Sequence, residues 1–202
     1  MAAAAVAAAM PSPAATASRT ILVVGDSLSA EYGLQRGSGW VALLEQRLAR
    51  ERIDATVVNA SISGDTTAGG LARLPALLRD RRPAVVIIEL GGNDALRGLP
   101  LETTRDNLLA MARLAKQAHA KVLILGMQVP PNYGRAYGDR FASLFADVAS
   151  KEGTALVPFL LKGVADGPEA ESMFQADRFH PLASAHPTIL ANVWPALAPL
   201  LK

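Results

Sequence analysis

Five short aliphatic runs, rich in β-branched residues, recur along this chain at residues 20–24, 55–59, 84–90, 121–126 and 154–158. The segments between them carry helical periodicity instead: Trp40, Leu43, Leu44 and Leu48 precede the second run, and Leu108, Met111, Ala112 and Ala115 precede the fourth. Strand and helix in alternation specify a parallel sheet with helices on both faces, a three-layer α/β/α domain. Thr103-Thr104 followed by Asp106 reads as a helix start. Arg81-Arg82-Pro83 reads as a helix stop whose charges suit the negative end of the helix dipole. The last helix is expected from about Ser184 to the end of the chain, bent or broken where Pro195 removes a backbone donor.

In an open parallel sheet, ligands gather beyond the carboxyl ends of the strands. The polar residues of this chain collect at those positions. Asp26-Ser27 follows the first run, 59–65 the second, Gly91-Gly92-Asn93-Asp94 the third and 128–133 the fourth, with Asp177-Arg178-Phe179-His180-Pro181 beyond the fifth. Five loops far apart in sequence are thus expected to meet on one rim.

Composition narrows the chemistry available there. The 202 residues, half of them apolar, suit one compact domain over residues 20–202. The formal net charge of +2 comes without a run of Lys or Arg, so nucleic acid is not expected as a partner. With no cysteine and three histidines, thiolate nucleophiles, disulfides and Cys-based zinc sites are excluded, leaving oxygen nucleophiles. Residues 1–19 are set apart: an alanine-rich stretch to Met10, then prolines, then Ala15-Thr16-Ala17, which has the form of a signal-peptidase site. They read as a signal-peptide remnant or disordered leader outside the fold, and point to a periplasmic or secreted enzyme, with a cytoplasmic location as the alternative. No later apolar stretch is long enough to span a bilayer, so no stable membrane insertion is expected.

Ser27 lies at a strand end and at the mouth of a helix, in Gly25-Asp26-Ser27-Leu28-Ser29. A serine hydroxyl is a weak nucleophile until a base takes its proton and a third group fixes the tautomer of that base. His180 and Asp177 have the residue types and the spacing for those two roles; taken alone, an Asp-x-x-His pair is as well explained by a helix cap or a surface contact. A tetrahedral intermediate also needs donors, which Gly64 can offer from its backbone and Asn93 from its amide. Ordinary structural duties serve these two residues as well: a turn before a helix capped by Asp65 or Thr66, and a strand-to-helix turn with Asn93 or Asp94 as N-cap. His119, His186, Trp40 and Trp194 read as structural, and a turn-stabilising hydrogen bond accounts for Asp26 as well as a catalytic duty would.

Four blocks, taken jointly and in order, carry a resemblance. They are Gly25-Asp26-Ser27-Leu28-Ser29-Ala30, residues 59–66, residues 89–98 and Asp177-Arg178-Phe179-His180-Pro181. Across residues 20–202 the chain resembles the SGNH hydrolases, or GDSL esterase/lipase family, and within it the thioesterase I, arylesterase and lysophospholipase group. The resemblance implies a flavodoxin-like strand order 2-1-3-4-5 and no metal or organic cofactor. It implies Ser27 as nucleophile, His180 as base and Asp177 as its orienting acid. The Ser27 and Gly64 N–H groups and the Asn93 side chain would form the oxyanion hole. It also makes Pro130, Pro131, Asn132, Tyr133 and Gly134 candidates for the acyl-chain site, against the alternative of a plain loop. Two departures lie beside the site and bear on substrate preference: Glu31, where many thioesterase relatives carry a small residue, and Leu182, where a polar residue is common.

The expected activity is hydrolysis of small acyl esters or thioesters through an acyl-enzyme. The candidate substrates are aryl esters, short to medium acyl chains, acyl-CoA and lysophospholipid. A carbohydrate deacetylase or acyltransferase of the same family is the nearest alternative, and a non-catalytic ligand-binding module the more distant one. Oligomeric state is left open.

Overall fold

The computed structural model describes residues 19–202. The segment read as a leader lies outside the described residues except for its last member, Arg19, which opens the first strand. In chain order the elements are β1 (Arg19–Gly25), α1 (Trp40–Arg50), β2 (Ala55–Asn59), α2 (Thr67–Arg81), β3 (Val85–Glu89), α3 (Gly92–Leu96), α4 (Leu101–Gln117), β4 (Lys121–Leu125), α5 (Arg135–Glu152), β5 (Ala155–Val157) and α6 (His186–Leu197). The strands form one parallel sheet in the order β2-β1-β3-β4-β5, the arrangement that the resemblance implies.

Two apolar layers follow from the period-2 alternation of the central strands. Ile21, Val23, Val85, Ile87, Leu123 and Leu125 face one side, where α1 and α6 bring Trp40, Leu44, Ile189 and Val193. Leu22, Val24, Val86, Ile88, Val122 and Ile124 face the other, beneath Leu74 of α2, Leu108 and Met111 of α4, and Phe141 and Phe145 of α5. Each fully buried Val, Leu or Ile side chain contributes roughly 1.5–3 kcal/mol relative to exposure. Continuous burial of β3 on both faces explains its unbroken apolar run, which ends on the carboxyl group of Glu89.

Helix limits differ from the sequence expectation in two places. α4 starts at Leu101, with Pro100 as N-cap and Glu102 in the first turn, so Thr103 and Thr104 belong to the helix body. Proline needs no donor at that end, and Thr104 is turned inward instead, donating to Asp94 Oδ1 at 3.3 Å. At the other end of the chain, α6 runs through Pro195 to Leu197 and only then tightens into a 3₁₀ turn over Ala198–Leu201. The carbonyl deprived of a partner by Pro195 is that of Ala191, an exposed residue. The expected stop of α2 is present: Arg82 caps it in the left-handed region at φ 43°.

The carboxyl edge is tied together at Gly126, whose N–H donates to Val157 O and whose carbonyl accepts from Leu160 N, both at 2.8 Å. A Cβ there would lie 2.3 Å from the backbone oxygen of Pro158. Gly126→Ala is therefore expected to destabilise the protein by about 1–3 kcal/mol, the range for overpacking. Urea unfolding of the variant checks this.

Candidate active site

β1 delivers its last residue, Gly25, in register with Glu89 at the end of β3. The chain then turns at once, with Ser29 N and Ala30 N donating to Asp26 O at 3.2 and 3.0 Å, and Leu28 N to Asp26 Oδ1 at 3.0 Å. This half-turn leaves Ser27 partly exposed on the rim while Asp26 and Ser29 point into the protein. His180 comes from the loop between β5 and α6, where Phe174 and Pro181 form an isolated antiparallel bridge.

Asp177 organises that loop. Its Oδ1 accepts from the N–H groups of Phe179 and His180 at 2.9 and 3.0 Å, and its Oδ2 lies 2.7 Å from His180 Nδ1. Arg178, between them, takes the left-handed conformation at φ 61° that the tight turn requires. A carboxylate only accepts, so the proton of neutral His180 belongs on Nδ1. The bare Nε2 then faces Ser27 Oγ at 2.8 Å, across 153 residues of sequence. Partial burial alone would raise the Asp177 pKa, but the two backbone donors and then the His180 side chain outweigh it and hold the group at about 2.

The candidate donors Gly64 and Asn93 follow the ends of β2 and β3. Gly91 caps α3 at φ 123°, and a side chain there would meet Phe145 Cζ at 3.2 Å, so glycine is needed to start this short helix. Gly91, and neither Asn93 nor Asp94, is thus the N-cap. Asn93 Nδ2 donates one hydrogen to Asp26 Oδ2 at 2.9 Å and keeps its second hydrogen for another acceptor. The buried Asp94 carboxylate accepts from Thr67 N at 2.9 Å and from the hydroxyls of Thr67 and Thr104, binding α3 to α2 and α4. Gly64, at φ 79°, lies just before α2, whose N-cap is Thr66. Arg97 holds the Gly64 carbonyl at 2.7 Å, and Arg73 pairs with Asp65 at 2.8 Å. Among the described residues, neither Ser27 N–H nor Gly64 N–H donates to a protein acceptor.

Two residues that the sequence did not single out complete the rim. Tyr32 lies over the His180 ring, centroids 4.3 Å apart and planes at 36°. Gln175 Nε2 donates to Tyr32 O at 2.9 Å and to Pro181 O at 3.2 Å, while Gln175 N donates to His180 O at 2.8 Å. It thereby clips the Ser27 loop to the His180 loop. Glu31 proves to be a loop anchor, accepting from the N–H groups of Gly37 and Gly39 at 2.9 and 2.8 Å. Leu182 is exposed, as are Tyr32, Ile62 and Phe179 on neighbouring loops and Leu96 at the end of α3. Pro131–Tyr133 form a 3₁₀ turn, and Pro130, Pro131 and Gly134 line a cavity of about 310 Å³ that includes neither Asn132 nor Tyr133. Tyr133 instead stacks on Tyr137 at 6.1 Å.

His186, Trp40, Trp194 and His119 have structural places. His186 opens α6 and accepts Trp40 N–H on Nδ1 at 2.9 Å; Arg47 lies 4.0 Å over the Trp194 ring; and His119 follows the end of α4 at φ 63°. Among the described residues no group of three His, Asp or Glu side chains could hold a metal, and no helix is long and apolar enough to cross a membrane.

A serine, an imidazole and a carboxylate hydrogen-bonded in sequence, beside spare N–H donors on the carboxyl edge of a 2-1-3-4-5 sheet, form the constellation of a serine hydrolase. The chain belongs to the GDSL-like lipase/acylhydrolase family, whose model matches residues 23–186. It is 57% identical over 185 residues to esterase TesA of Pseudomonas aeruginosa, covering 92% of this chain and 90% of that one. It is 44% identical over 178 residues to an arylesterase of Vibrio mimicus (88% of each chain). With thioesterase 1/protease 1/lysophospholipase L1 of Escherichia coli it shares 40% over 188 residues (93% and 88%). A crystal structure of TesA superposes with a TM-score of 0.87 at 56% identity, covering 90% of this chain and 99% of that one. A psychrotrophic esterase EstA from Pseudoalteromonas, inhibited by monoethylphosphonate, superposes with 0.84 at 38% identity (91% and 98%). The protein is a hydrolase of ester bonds, acting on small-molecule substrates.

Because the folded pKa of Asp177 lies below its ordinary 3.8, its contribution to stability is fully present above 3.8 and is lost as the pH falls toward about 2. Urea unfolding across pH should show a gap between wild type and Asp177→Asn that is constant at neutral pH and closes over that acidic window.

Proposed function

We propose that Ser27, His180 and Asp177 are the catalytic triad and that Ser27 N–H, Gly64 N–H and the Asn93 amide are the oxyanion hole. The observation that carries this reading is the unbroken chain from Ser27 Oγ through His180 to Asp177, at 2.8 and 2.7 Å. Ser27 Oγ attacks the acyl carbonyl as His180 Nε2 takes its proton, and Asp177 stabilises the imidazolium. The carbonyl oxygen becomes an oxyanion facing the three donors. His180 returns the proton to the departing alcohol or thiol, then activates water to release the acyl group from Ser27.

Relatives named for aryl esters, thioesters and lysophospholipids support the same range here, with an acyl group on a good leaving group as the common chemistry. The exposed apolar residues that follow the strand ends, Tyr32, Ile62, Leu96, Phe179 and Leu182, favour an aliphatic or aromatic acyl ester over a carbohydrate ester. Residues 130–134, beside the groove that Pro130, Pro131 and Gly134 line, are proposed to set acyl-chain length. The Ala15-Thr16-Ala17 site supports export to the periplasm, which N-terminal sequencing of the mature protein tests.

Ser27→Ala should lower kcat on p-nitrophenyl esters by on the order of 10⁶. Asn93→Ala should lower it by about 10²–10³ without unfolding the protein. Near-wild-type turnover in either variant would remove that residue from the mechanism. Profiling wild type on p-nitrophenyl esters of increasing chain length, beside the matching acyl-CoA thioesters, should show activity on both leaving groups over several lengths. A single sharp optimum would contradict that breadth.

A further inference from the structure

Behind the proposed oxyanion hole two carboxyl groups are buried together. Glu89, at the end of β3, is fully buried, and Asp26 is 2% exposed. Both Asp26 oxygens already accept from N–H donors, Oδ1 from Leu28 at 3.0 Å and Oδ2 from Asn93 at 2.9 Å, as befits an ionised carboxylate. Glu89 is different. Its Oε2 accepts from Asp26 N–H at 3.2 Å and lies 2.6 Å from Ser29 Oγ, but its Oε1 has no partner. Ser29 Oγ accepts from Trp40 Nε1 at 3.2 Å, so its own hydrogen is free to go to Glu89.

A fully buried carboxylate oxygen with no donor is strongly disfavoured, whereas the O–H of a carboxylic acid leaves one modest hydrogen bond unmade. Arg73 offers Glu89 no rescue, being engaged by Asp65 and by the carbonyls of Ala60 and Gly25. We propose that Glu89 is a positioning residue that works as a neutral acid, anchoring the Ser27 turn and leaving Asp26 ionised to aim the Asn93 amide. Burial first, and the Asp26 charge second, push Glu89 well above its ordinary pKa, in keeping with this assignment. Burial raises Asp26 to about 6, which leaves it ionised in mildly alkaline solution. Glu89 touches no substrate. It acts through Asp26, so the proposal rests on Asn93 serving as an oxyanion donor.

Infrared spectroscopy in ²H₂O at mildly alkaline pH reads the proton directly. Wild type should show the carbonyl stretch of a neutral carboxylic acid, and Glu89→Gln should lack it. Gln retains the acceptor for Asp26 N–H and Ser29 O–H, so Glu89→Gln should keep most of the wild-type kcat on p-nitrophenyl butyrate. Glu89→Leu removes that acceptor and should lower kcat by about tenfold to a hundredfold with KM little changed, the scale of a misplaced reacting group. In an Asn93→Ala background, the same Glu89→Leu change should cost much less, because the amide it helps to aim is gone.

A missing acid band, or a Glu89→Gln variant with the low kcat expected of Glu89→Leu, would overturn the proposal. So would an undiminished Glu89→Leu loss in the Asn93→Ala background. Should Glu89→Leu fail to fold, the band and the Glu89→Gln kinetics decide. A normal acid band beside an Asn93→Ala variant of full activity would instead refute the oxyanion assignment, so the two failures are distinguishable.

Discussion

The hydrogen bond between Ser27 Oγ and His180 Nε2 joins the turn after the first strand to the loop before the last helix, and most of the molecule serves to make it possible. Neither loop is held by the sheet alone. Asp177 curls the His180 loop around its own carboxylate, and Gln175 fastens that loop to Tyr32 on the Ser27 side. The imidazole is further confined by the Tyr32 ring above it. With His180 as the proposed base, an imidazole fixed in tautomer and in orientation before substrate arrives needs little reorganisation at the moment of reaction.

The opposite wall is built by buried acids rather than by long side chains. Asp94 binds α3 to α2 and α4, so Asn93 on α3 and Gly64 ahead of α2 are placed by one carboxylate. Asp26 holds the Asn93 amide by accepting one of its hydrogens, which leaves the other free for a further acceptor. Burying charge here is tolerable because almost every carboxylate oxygen meets a backbone or side-chain donor. The exception, Glu89 Oε1, is for that reason informative about protonation.

The layers of the fold were legible because β-branched runs and 3.6-residue periodicity mark buried strands and one-sided helices directly. Residues 84–90 and 121–126 needed only trimming to β3 and β4. Helix ends are less legible: Thr103-Thr104 imitate an N-cap that Pro100 occupies, and Pro195 looks like a break although the helix runs through it, the residue whose carbonyl loses its partner, Ala191, being exposed. At the site, Ser27, Asn93, Asp177 and His180 were visible because their residue types suit one chemistry at strand ends, and the structure brings them together. Tyr32 and Gln175 were not visible, since a tyrosine five residues beyond a serine and a glutamine two before an aspartate have no signature apart from their cross-loop contacts. Glu89 stands in plain view at the end of an apolar strand, but only its own burial and its unpartnered Oε1 give it meaning.

Ser27 is proposed as a nucleophile whose tetrahedral intermediate places its oxyanion against three donors, Ser27 N–H, Gly64 N–H and the Asn93 amide. The most direct measurement is a crystal structure of the protein after reaction with an alkylphosphonate ester, a stable mimic of the tetrahedral intermediate. Phosphorus bonded to Ser27 Oγ, with its oxygen within hydrogen-bond distance of Ser27 N, Gly64 N and Asn93 Nδ2, is the predicted result. An adduct on another residue, or a phosphoryl oxygen turned away from Gly64 and Asn93, would contradict it.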